Sequence, residues 1–261
     1  QILKDATSTA IYGVNGSAGV VIITTKRGKL NQNTFTFNSY FGTSEIVKNI
    51  EVLNLDQYKT LMAEISPTYV SDATNPLYGN TITDWTKEVF QTGQDQNYDL
   101  SYSGGTDKLK AFASLGYQET QGIVYPSKFA RLSGRVNIDL NATSWLKAHA
   151  NINVIDTKFN NTSDNNSANQ GGVILSALTT PAFLPIYADD FVGGAEAGGQ
   201  LSGQFAANPT ASLENPVSFQ SRQEDTNTGR YMANLIFDVN LLDNLVWKIS
   251  STVDNTRSVY Q

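Results

Sequence analysis

The stretch ARLSGRVNIDL, Ala130–Leu140, alternates without a break. Ala130, Leu132, Gly134, Val136, Ile138 and Leu140 fall on one side of an extended chain, and Arg131, Ser133, Arg135, Asn137 and Asp139 on the other. Successive side chains of a strand point to opposite faces, so period two reads as a strand with one apolar and one polar face. The same pattern recurs on both sides. SWLKAHANINVIDT aligns Leu146, Ala148, Ala150, Ile152 and Val154, with Lys147, His149, Asn151 and Asn153 opposite. KLKAFASLGYQ, RYMANLIFDVNL and LVWKISSTVD repeat it, and NTFTFNSYFG and NYDLSYSG are shorter candidates. That makes about seven strands, several of roughly ten to thirteen residues, where about five or six is usual. A tilted strand of about ten residues crosses the apolar band of a bilayer.

The connections sort into two kinds. GGTD (Gly104–Asp107), NATS (Asn141–Ser144) and LDN (Leu242–Asn244) are tight turns made of turn-forming residues. Between them lie long segments at about 44–96, 120–128 and 158–229. Short and long connections therefore alternate along the chain, as they do at the two rims of an outer-membrane barrel. The expected fold is all-β dominated, part of a transmembrane antiparallel β-barrel. A soluble β-sandwich, or a surface glycan-binding or adhesion module built on one, shares the alternation and is the competing reading. Within the long segments, VLNLDQYKTLMAEI reads as a helix starting near Asn54 or Asp56. NNTSDNNSANQGG (Asn160–Gly172) is polar low complexity.

Composition narrows the function classes. The 261 residues carry a net charge of -6, which argues against a nucleic-acid partner. No run of eighteen or more apolar residues is present, so no helix of the usual spanning kind is expected; a β-barrel leaves no such mark. There is no cysteine, and His149 is the single histidine. Most zinc sites and nucleophile–histidine arrangements are thereby excluded, and the reading contains no catalytic residue, metal ligand or cofactor site.

The start of the chain is different. LKDATSTAIYG reads as a short helix or helical turn closed by Gly13; GVNGSAG supplies positive-φ positions; VVIITTK is a β-branched run of the kind buried on both faces of a sheet. Its position before a strand and the missing Lys-Ser/Thr argue against a phosphate-binding loop. This phrase, LKDATSTAIYG…GVVIITTKRGK, closely resembles the end of the plug domain in TonB-dependent outer-membrane receptors of the SusC/RagA-like family. The matching residues include Lys4, Asp5, Ala6, Tyr12, Gly13, Gly19, Val20, Thr24, Thr25, Lys26 and Gly28. LNLDQYKTLM, Trp85 in ITDW, DLSYSGGTDK, SLGYQETQGIV, WLKAHANINV and Asn215-Pro216 also look like that family.

The resemblance implies that residues 1–30 are the C-terminal end of an α+β plug domain. It implies that 31–261 are the N-terminal part of a barrel of about 22 strands, the chain being an internal fragment. It implies the bacterial outer membrane as location, with Phe35–Phe41 running outward and the long loops extracellular. It further implies active import of an oligosaccharide or glycan, or of a peptide, driven by a TonB–ExbB–ExbD complex. The partners it brings are a SusD-like surface lipoprotein and outer-membrane lipid.

Candidate site residues follow from the two faces and the loops. Arg131, Arg135, Asp139, Arg230 and Asp238 fall on the polar face and would line the lumen, either in ion pairs and hydrogen bonds to the plug or in contact with substrate; His149 is on the same face, near the periplasmic rim. Lys26, Arg27 and Lys29, where plug and first strand would meet, would either mark a periplasmic junction or be ordinary solvated charge. Tyr78, Trp85, Phe183 and Tyr187 are loop aromatics that would either contact a ligand or pack the loops together. Strand-end aromatics such as Tyr98, Tyr117, Phe129, Tyr231 and Trp247 suit an interfacial girdle.

Overall fold

The computed structural model describes residues 2–5, 10–16, 18–22, 24–48, 50–68, 82–161, 172–187, 204–206, 214–221 and 224–260. The expected seven strands form one antiparallel sheet: β3 Asn33–Ser44, β4 Gly93–Gly105, β5 Leu109–Gln121, β6 Lys128–Asn141, β7 Leu146–Asn161, β8 Glu224–Leu242 and β9 Leu245–Tyr260. Neighbours in sequence are neighbours in the sheet, which is open between β3 and β9. The strands run 12 to 19 residues, longer than the alternation alone indicates, because pairing continues past the apolar stretch into the polar ends.

Three tight turns join the strands at one end. Thr106 donates its amide to Leu109 O at 2.7 Å, and its hydroxyl accepts from Leu109 N. Thr143 receives Leu146 N in the same way, at 3.0 Å. Two side-chain oxygens thus close two of the turns and hold register, which in a period-two strand decides which face every residue takes.

The start of the chain departs from expectation. Among the described residues of VVIITTK only Val20–Val21 forms a strand, β2, paired antiparallel with β1 Ile2–Leu3. Val21 is two-thirds exposed, and Thr24–Lys29 run irregularly. A strand needs a ladder for its amides and carbonyls, and among the described residues only Ile2 and Leu3 offer one here. The glycine readings fare better. Gly13 (φ 62°) interrupts a 3₁₀ segment over Ala10–Gly16, and Gly19 (φ 105°) leads into β2 with Leu3 O close by. Ala6 lies outside the described residues.

Burial on the sheet is inverted. Asn137 on the polar face is 2% exposed, while Leu132 and Leu115 on the apolar face are 50% and 55% exposed. The register lines the apolar residues up across all seven strands. One row runs Phe35–Tyr102–Ala113–Val136–Ile152–Ala233–Val253. Among the described residues no second sheet covers this face, so the sandwich arrangement is absent. A contiguous apolar face of this extent marks contact with lipid or protein.

The dry core lies elsewhere, where the long connections meet. Helices α2 Trp85–Val89, α3 Val173–Thr179 and α4 Pro216–Ser221 pack around Trp85, Val89, Val124, Leu184 and Phe219. Each large side chain buried there contributes about 1.5–3 kcal/mol. The remaining described helix, α1 Leu55–Ile65, begins at Asn54 as expected. The Asn54 side chain accepts from Gln57 N, and Gln57 reaches back to Asn54 N, a reciprocal capping box.

Candidate functional site

The polar face of the sheet carries the 24–29 segment. Asn137 donates its side-chain amide to Lys26 O at 2.7 Å. Ser103 accepts from Lys29 N at 3.2 Å. The Arg27 guanidinium pairs with Asp139 Oδ1. Between these contacts Gly28 lies flat on the sheet backbone. A Cβ there would sit 2.4 Å from Ala111 N and 2.7 Å from Gly104 O, so no side chain fits. The segment then turns through Asn31, whose positive φ of 52° Asn tolerates, donates Asn31 N to Gly105 O, and enters β3.

Beneath Arg27 is a charged array. Asp139 and His149 stand directly opposite one another on β6 and β7. His149 Nδ1 is 2.6 Å from Asp139 Oδ1, and His149 Nε2 is 3.5 Å from Asp238 Oδ2. Asp238 Oδ1 lies 3.4 Å from Lys248 Nζ, an ion pair without hydrogen-bond alignment. The groups line an open cavity of about 530 Å³, with Lys110 and Lys147 on its rim. Farther toward the long-loop end, Arg230 grips Asp254 with two hydrogen bonds, 2.9 and 2.6 Å. Both partners are more than 40% exposed, so solvent screens the pair and it adds little to stability.

The five charges singled out from the sequence, Arg131, Arg135, Asp139, Arg230 and Asp238, share this face by strand register. Only Asp139 and Asp238 are brought together, through His149. Arg135 borders a second cavity with Thr25, Arg27 and Asn137. Arg131 borders a third with Asn97 and Asp99.

The loop aromatics separate. Trp85 and Phe183 are 3% and 1% exposed. The Trp85 indole N–H is taken by Pro181 O at 3.0 Å, and Phe183 meets Tyr58 at 5.4 Å between centroids. Both are used in packing, one of the two roles that the sequence left open for them. Tyr187 remains exposed and stacks on Phe205 at 5.5 Å. Tyr78 lies outside the described residues.

Two features escaped the sequence reading. Asn215, in the Asn-Pro pair, is buried and ties two chain segments together by donating to Ile186 O and Ala206 O. The clustering of Asp238 with His149 crosses the longest connection, so no local signal announces it; the Asp139–His149 pairing was available from the NATS turn between them.

Comparison with known proteins agrees with the geometry. No family model matches the chain. It is 29% identical over 255 residues to TonB-dependent receptor P3 of Formosa agariphila, covering 95% of this chain and 23% of that receptor. It is 35% identical over 198 residues to TonB-dependent receptor SusC of Bacteroides thetaiotaomicron, covering 74% of this chain and 19% of SusC. The chain thus spans about a fifth of the length of these relatives. In fold it superposes on the RagAB peptide importer in its open-open state with a TM-score of 0.73 at 23% identity, covering 98% of this chain and 31% of that one. A second RagAB structure, of the peptide transporter, gives 0.72 at 24% identity, covering 99% of this chain and 32% of that one. Sequence and fold together match this chain, along nearly its whole length, to one segment of the TonB-dependent receptors of the SusC/RagA-like family.

Proposed function

We propose that this chain forms the end of a plug and the first strands of a barrel wall in a receptor that imports a nutrient across the bacterial outer membrane. Residues 1–30 close the plug and 31–261 open the wall. The observation that carries the reading is the inverted sheet: a polar face covered by the 24–29 segment and a bare apolar face seven strands wide. A bilayer satisfies that apolar face, and strands of 12 residues or more are long enough to cross it. The tight turns then face the periplasm and the packed loops face outward. The polar face becomes the lumen, with Arg131, Arg135, Asp139, Arg230 and Asp238 lining it.

The role is transport rather than catalysis. The cargo proposed is an oligosaccharide, with the exposed Tyr187, stacked on half-buried Phe205, as a surface for sugar rings. A peptide is the second reading, favoured by the fold shared with the RagAB peptide importer. Energy comes from the TonB–ExbB–ExbD complex acting on the plug, and a SusD-like lipoprotein covers the outer mouth.

The test is uptake. Cells expressing the full-length receptor are given labelled oligosaccharides and, separately, labelled peptides, with and without a protonophore. The reading requires uptake of one class that the protonophore abolishes. Uptake of neither class in cells with the receptor in the outer membrane overturns it.

A further inference from the structure

We propose that a polar notch in the lumen wall, built around Gly116, is a binding subsite for a neutral sugar unit of the incoming oligosaccharide. The inference deepens the import reading and rests on its assignment of the polar face to the lumen.

Strand register builds the notch. Asn97, Gln118 and Arg131 stand opposite one another on β4, β5 and β6, and Asp99, Gly116 and Ser133 do the same one row further in. Residues two apart on a strand share a face, so the two rows form a grid on the face that carries Asn137. Five of the six positions bear polar side chains, and the middle of the inner row bears none. Gly116 is buried, and a Cβ there would sit 2.8 Å from Asp99 Oδ1 and 2.9 Å from Ser133 Oγ. Carboxylate and hydroxyl therefore close on the glycine from its two sides. The grid lines a cavity of about 230 Å³.

Its hydrogen-bonding capacity is mixed and partly unspent. Asp99 Oδ2 accepts from Asn97 Nδ2 at 2.8 Å, which leaves Oδ1 beside the notch. Among the described residues, Arg131 and Gln118 have no hydrogen bond or ion pair. Arg131 and Asp99 thus border one cavity without pairing. A guanidinium only donates and a carboxylate only accepts, whereas a hydroxyl does both. Neighbouring hydroxyls of one sugar ring can accept from Arg131 and donate to Asp99 together. The two charges balance, which suits a neutral sugar; an acidic one would bring a second negative charge beside Asp99. Tyr40 stands opposite Asn97 on β3, on the same face, and its ring is exposed. It offers an apolar surface for the C–H face of a sugar.

The notch also lies on the route of a cargo. Ser133 is four residues along β6 from Asn137, which holds the 24–29 segment, or about 13 Å toward the long connections. It therefore stands between the outer mouth and the plug segment.

The test applies the full-length receptor, in detergent, to a printed array of neutral oligosaccharides, acidic oligosaccharides and peptides. The expected result is capture by neutral oligosaccharides, weakened about tenfold or more in Arg131→Ala and in Asp99→Ala. Gly116→Val fills the notch without removing a polar group and should weaken capture as much. Heat-dependent gel mobility confirms that each variant has a folded barrel. Equal capture of parent and variants, capture by acidic oligosaccharides or peptides alone, or no capture at all overturns the subsite. Uptake by cells is scored separately. Oligosaccharide uptake with capture unchanged in the variants removes the subsite and leaves import standing. Capture that depends on the notch, without uptake, removes only the import reading.

Discussion

At Gly28 the absence of one carbon decides how close two parts of the chain come. The backbone of Ala111 and Gly104 occupies the space of a Cβ, and backbone cannot swing aside as a side chain can. Gly28→Ala should therefore lift the segment and weaken the Asn137 and Arg27 contacts together, costing about 1–3 kcal/mol, as over-packing does elsewhere. A denaturant titration of the receptor, compared with the parent, reads the loss. Trp85 makes the opposite point: its importance lies in what it fills. Trp85→Ala removes the largest side chain of the loop core and its bond to Pro181, a loss of about 3–5 kcal/mol to that core. Proteases should then cut the long connections quickly while the strands stay protected. Both residues stood out in the sequence, Gly28 in a motif and Trp85 as a conspicuous aromatic. What each touches did not, because their neighbours, Ala111 and Pro181, are 83 and 96 residues away along the chain.

At the scale of elements, the short helix Trp85–Val89 is held by the residue that precedes it, its N-cap. Asp84 accepts from the Thr86 hydroxyl and from Lys87 N, and pairs with the Lys87 ammonium at 3.0 Å. These interactions, the Thr86 hydrogen bond foremost, hold its carboxyl below the ordinary value of 3.8. The sign follows: a depressed carboxylate lends stability above its unfolded value and withdraws it as pH falls through the folded one. The cap should therefore be intact at neutral pH and fray only below about pH 4, and Asp84→Asn should flatten the dependence. Protease susceptibility of the loop core against pH measures it. Because half of the Asp84 side chain is exposed, the effect is a modest one. Strands and turns were the most legible elements, since alternation and a Thr or Asn at each turn are local signals. The β-branched run Val20–Lys26 was less so: it has the composition of a buried strand, yet composition provides no ladder, and pairing ends at Val21.

For the whole molecule, the arrangement turns on which face meets lipid. Val136 sits in the central apolar row, with Ala113 and Ile152 as its cross-strand neighbours. Val136→Arg should cost about 2–4 kcal/mol at the bilayer mid-plane, whereas Ser133→Arg on the polar face should not. Heat-dependent gel mobility of the receptor scores the folded fraction of each. Alternation announced two faces in the sequence but was equally at home in a sandwich. The decision came from the sheet itself, where Asn137 is covered and Leu132 is bare. The measurement that tests this most directly is a scan of single spin labels along β6 from Leu132 to Ile138 in the receptor within a bilayer. This stretch of chain has no cysteine of its own. Oxygen concentrates in lipid, and a polar nickel complex stays in water. The labels at Leu132, Gly134, Val136 and Ile138 should relax with oxygen and resist nickel, and those at Ser133, Arg135 and Asn137 should not. Accessibility without a two-residue period, or with the opposite phase, would contradict the membrane-wall reading.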